Sequence, residues 1–99
     1  MNNILKANQI LLLKDPKKYI IDMFINVCIL NYKSKKEGLT AEESDKAITL
    51  LDTITNVLGR QSQLIDECIT IFSTSMNMRN NIYESWDLVE DYLKDRINI

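Results

Sequence analysis

The run YIIDMFINVCIL (19–30) is interrupted only by Asp22 and Asn26, and it is framed by Asp15-Pro16 before it and Gly38 after it. The frame decides its conformation. Aspartate followed by proline reads as an N-cap with proline at the first helical position, where the missing N–H costs nothing. Gly38 supplies a left-handed residue that closes a helix, and Lys33, Lys35 and Lys36 fall in the last turn, where the dipole favours cations. Alternation of Ile21, Met23, Ile25, Val27 and Ile29 also fits a strand, but the start signal, the stop signal and the length between them favour one long helix, to about Glu37.

Two glycines and one proline in 99 residues leave little punctuation for the turns of a sheet. The rest of the chain reads the same way. A shorter helix precedes Asp15, over about 3–13. Thr40-Ala-Glu-Glu43 matches a capping box, and a third helix follows with Ala47, Leu51, Ile54 and Leu58 inward and Ile48, Leu50 and Val57 beside them. Asp45, Thr49, Asp52 and Asn56 face away. A fourth segment, 61 to about 75, places Leu64, Ile65, Cys68, Ile69, Ile71, Phe72 and Met76 on one broad side. Serine, threonine and asparagine crowd 73–81 and predict a break there. The last helix carries Ile82, Trp86, Val89, Leu93 and Ile97 as its buried stripe. The expectation is a single all-α domain over 1–99, an antiparallel bundle of four to five helices.

A run this apolar is short for a membrane span and contains Asp22, so a span is set aside. As a helix it must be covered nearly all round. It is either the central helix of the bundle or it keeps a second apolar face for another chain. On the second reading Tyr19, Ile21, Phe24, Ile25, Cys28 and Tyr32 form an interface with a partner protein or with a second copy in a homodimer. Lys14, Lys17 and Lys18, at a helix start where the dipole disfavours cations, are a possible anion contact; the alternative is that they are solvated or face the acidic last helix.

Charge is unevenly spread: residues 1–37 carry seven lysines against three acids, and 38–99 carry five basic against eleven acidic side chains. Regions of +4 and −6 attract within a molecule or between neighbours. The N-terminus has no basic stretch followed by a long apolar core, so no signal peptide is read and the expected location is the cytoplasm. There Cys28 and Cys68, both among apolar residues, read as reduced, buried small hydrophobes.

Catalytic chemistry has little to work with. Histidine is absent, two distant cysteines do not make a zinc site, and Gly38 and Gly59 stand alone, so the reading is non-enzymatic, with no cofactor, metal or small-molecule substrate. The pairs Glu42/Glu43 and Glu90/Asp91 read as solvated acids. Arg60, Arg79 and Arg96 are scattered and Asp66 and Glu67 would repel phosphates from a second helix-turn-helix element, which places a nucleic-acid-binding regulator last.

What remains is a protein that works by contact: an export chaperone, an inhibitor or an immunity-type partner. Asn8-Gln9, then Pro16 and the run 19–30, is similar to the first two helices of flagellin-export chaperones over about a quarter of the chain. That family's Tyr-Asp-Gly step is absent, so no residue role is carried over. The run YESWD (83–87) contains a Y-x-x-x-D/E pattern and resembles the C-terminal export signal of small helical type VII secretion substrates, whose central Trp-x-Gly turn is missing here. That resemblance implies a secreted helical substrate; without it, Trp86 is a core anchor and Asp87 is exposed.

Overall fold

The computed structural model describes residues 9, 10 and 12–98. Four helices account for most of them, α1 (Pro16–Lys36), α2 (Ala41–Leu58), α3 (Ser62–Asn77) and α4 (Ile82–Lys94), and there is no strand among the described residues. Gln9 and Ile10 are helical and Ile10 is fully buried, whereas Leu12 and Leu13 lie outside any helix, in a turn held by Leu12 N–H to Gln9 O and Leu13 N–H to Ile10 O. The helix expected over 3–13 therefore does not reach Leu13; residues 3–8 lie outside the described residues.

α1 begins and ends on the residues that frame it. Asp15 accepts the Lys18 N–H at 3.1 Å, Pro16 opens the helix, and Gly38, at φ +85°, turns its N–H back to Lys33 O and Ser34 O. Eight of its side chains are buried, and it packs against α2, α3 and α4, so it is the hub of the molecule. Burying a side chain such as Phe24, Ile20 or Ile25 contributes about 1.5–3 kcal/mol, and all three are essentially inaccessible.

α3 and α4 join at the break expected between 73 and 81. The helix runs past Ser75 to Asn77, Arg79 takes a left-handed φ of 67°, and Asn81 caps α4 in a second capping box, accepting Glu84 N–H at 2.8 Å while Glu84 accepts Asn81 N–H at 3.2 Å. Small side chains let the two helices approach: the buried hydroxyls of Ser75 and Ser85 lie 2.7 Å apart, and Asn80 Nδ2 donates to Ser75 Oγ at 3.0 Å. Ser85 thus occupies a core position on α4, beside Val89, Leu93 and Ile97. Ile82, expected in that stripe, is 40% exposed because it sits at the helix start, beyond the reach of its neighbours.

α2 is built differently. Its capping box is formed as expected, with Thr40 Oγ1 accepting Glu43 N–H at 3.1 Å and Glu43 accepting Thr40 N–H at 3.0 Å. Yet it packs substantially on α1 alone, and only Thr53 and Ile54 are buried. Ala47, Leu50, Leu51, Val57 and Leu58 are half-buried. Ile48, expected beside the inward face, is 57% exposed; one neighbour covers a narrower arc of a helix than the apolar residues of α2 span.

Candidate functional site

The six residues expected to form an interface do not share an outward face. Ile21, Phe24, Ile25 and Cys28 lie in the chain's own core, so no surface of theirs is open to a partner in this fold. Tyr19 is 38% exposed. Tyr32 is half-buried, its ring edge-on to Phe72 with centroids 6.1 Å apart and the Lys36 ammonium 5.5 Å above it. Central burial is thus the use this fold makes of most of the apolar run.

The lysines before and within the first turn of α1 have acidic company. Lys17 and Lys18 line a cleft of about 330 Å³ with Asp15, Ile21, Glu90 and Lys94, while Lys14 is exposed and stands outside it. An incoming anion would meet the Asp15 and Glu90 carboxylates there.

Cys28 and Cys68 are both free thiols in the core, and burial pushes each up to about 12, aided at Cys28 by the nearby Cys68 and at Cys68 by Glu67. They are packing groups, inert to reagents while the fold holds. Glu43 is not a merely solvated acid. The Lys33 ammonium donates to it, and this bond, with the Thr40 N–H, holds its carboxyl down to about 2 and raises Lys33 above the ordinary lysine range. The pair ties the end of α1 to the start of α2. Among the described residues no group of three or more metal-ligating side chains converges, and no helix is long and apolar enough to cross a membrane.

Because α2 leans on α1 and α3 packs on α1 and α4, a cleft of about 340 Å³ opens between α2 and α3. Val27, Leu30 and Asn31 of α1 form its floor, Ala47 and Leu51 of α2 one wall, and Ile65 and Ile69 of α3 the other. Asn31 Oδ1 is buried there without a hydrogen-bond partner. An unsatisfied buried acceptor costs about 1–3 kcal/mol, which an N–H or O–H entering the cleft would offset.

A larger and shallower concavity, about 650 Å³, lies over α3 and α4 around Glu67, Ile71 and Tyr92. Three of its polar groups already answer one another: the Tyr92 hydroxyl and Gln63 Nε2 both donate to Glu67, and the Arg96 guanidinium stacks 3.7 Å from the Tyr92 ring. Chemistry therefore favours the smaller cleft over the larger one. Sequence reasoning missed it because Asn31, Ile65 and Ile69 read as ordinary helix content; the available signal was Ile48, an apolar residue among Thr49, Asp45 and Asp52.

No family model, curated protein or solved structure matches the chain.

Proposed function

We propose that this protein is a small, non-enzymatic, cytoplasmic interaction module that binds another protein through the α2/α3 cleft, in the manner of an export chaperone, an inhibitor or an immunity-type partner. Its four described helices act as an antiparallel bundle, and self-association is the other form the same contact could take. The observation that carries the reading is the cleft itself. It is mostly apolar, the exposed Ile48 stands one helical turn before Leu51 of its α2 wall, and it holds a buried acceptor, Asn31 Oδ1, that no group among the described residues satisfies. Apolar grooves between helices recognise amphipathic helices through a few anchoring side chains.

The test compares affinity capture from native lysate by the protein and by Ile48→Glu, with helicity checked by circular dichroism. One dominant partner held by the first and lost by the second supports the reading. A partner held equally by both places the contact elsewhere. A secreted substrate is a second reading with one observation in its favour: Tyr83 is 78% exposed and Asp87 is exposed one turn away on α4. Export that depends on Tyr83 and Asp87 would put that reading first.

A further inference from the structure

Resting on the cleft reading, we infer that the occupant is an amphipathic helix whose apolar face is flanked by lysine or arginine. The charge around the cleft selects it. α2 and α3 together carry Glu42, Glu43, Asp45, Asp52, Asp66 and Glu67 against Lys46, with Arg60 in the link between them; of these Glu67 is taken up by Tyr92 and Gln63 in the α3/α4 concavity. Glu43 is already matched by Lys33. Asp66 lines the cleft on the α3 side. On α2, Asp45, Ile48 and Asp52 follow one another at spacings of three and four and form one ridge, and all three are exposed. Ile48 lies one turn before Leu51, which lines the cleft, whereas helical spacing sets Lys46 on the other flank of α2. The result is an apolar trough with Asp66 in its α3 wall and, by helical spacing, the Asp45–Ile48–Asp52 ridge outside its α2 wall.

An occupant with an apolar face satisfies the trough, its long basic side chains reach the ridge while their stems cover Ile48, and a donor on it reaches Asn31 Oδ1. A helix is favoured over an extended strand because the described residues offer no sheet edge to extend, and side chains from one helix face fill a trough of this size. A neutral apolar segment would leave the aspartates unanswered, and an acidic one would be repelled.

The probe is a designed helical peptide with leucines on one face and lysines flanking them, compared by fluorescence anisotropy with versions carrying glutamine or glutamate in place of lysine. The lysine peptide is expected to bind about tenfold tighter than the glutamine peptide at low salt, with the gap closing as salt rises, and the glutamate peptide weakest. Asp52→Asn with Asp66→Asn should bring the lysine peptide to the affinity of the glutamine peptide; Ile48→Glu should abolish binding of the glutamine peptide. Equal binding of lysine and glutamine peptides, both lost in Ile48→Glu, overturns the charge assignment and leaves the cleft reading standing. Failure of every peptide, or lysine-peptide binding indifferent to Asp52, Asp66 and Ile48, overturns both. A stable dimer by light scattering that Ile48→Glu dissociates overturns the inference by placing a second copy in the trough.

Discussion

α1 and α2 are helices of similar length, 21 and 18 residues, each opened by a side-chain cap, yet eight side chains of α1 are buried and two of α2. The difference lies in neighbours. Among the described residues α1 packs substantially against three helices and α2 against one, so apolar residues of comparable character are core in the first and wall or flank in the second. Hydrophobicity along a helix says how much surface wants cover; only packing says whether the chain itself provides it.

The sharpest way to break this contrast is Phe24. Truncation to alanine should cost about 3–5 kcal/mol in a urea melt, as for a fully buried aromatic, and Phe24→Asp should abolish the folded state. A stable, helical Phe24→Asp protein would put that ring outside and dissolve the comparison. Within α2, Ile54 and Ile48 should separate just as clearly. Ile54→Ala should cost about 2–5 kcal/mol and raise hydrogen exchange in α2 more than in α3 or α4, whereas Ile48→Ala should stay within about 0.5 kcal/mol. Equal effects would mean that α2 is covered on both sides.

Smaller effects sharpen the picture at the helix ends. Thr40→Ala and Asn81→Ala each remove the acceptor of a capping box and should each cost about 1 kcal/mol. A markedly larger loss at Asn81 would show that the α3–α4 joint depends on its cap more than the α1–α2 joint does. Glu43 adds a pH signature. Its carboxyl is held down to about 2 in the folded chain against an ordinary 4.5, so its contribution is fully present above pH 4.5 and is lost as pH falls from there towards 2. Glu43→Gln keeps the capping box and drops the charge. Acid melts of that variant should show a shallower decline over this window, and an unchanged decline would mean that other carboxylates govern it.

Much of the fold could be read from single residues whose chemistry is local. Asp15-Pro16 and Gly38 bound α1, and Thr40 with Glu43 starts α2, because caps act within one turn. Asn81-Ile-Tyr-Glu84 is an equally regular signal, obscured by the Ser, Thr and Asn residues upstream that compete for turns. Ile48 and Ile82 were misplaced for another reason: the stripe on a helix is wider than the cover any one neighbour gives. The cleft was hidden altogether. It depends on α2 and α3, consecutive in sequence, each packing on α1 with little contact between themselves, and no spacing within either helix encodes that choice. The same holds for the apolar run 19–30, whose greasy character was plain while its use as hub rather than interface was a property of everything around it.

The connections at 37–40, 59–61 and 78–81 are brief, so α1 with α2 and α3 with α4 are partners close together along the chain. Loop-closure entropy for such pairs is small, and folding times for chains dominated by local contacts fall in the microsecond-to-millisecond range. What remains slow is closing α1 on α3 and α4 across the intervening chain. Commitment to the native state would then wait on the buried face of α1 meeting those of α3 and α4 in the shared core, and α2 would be free to settle afterwards.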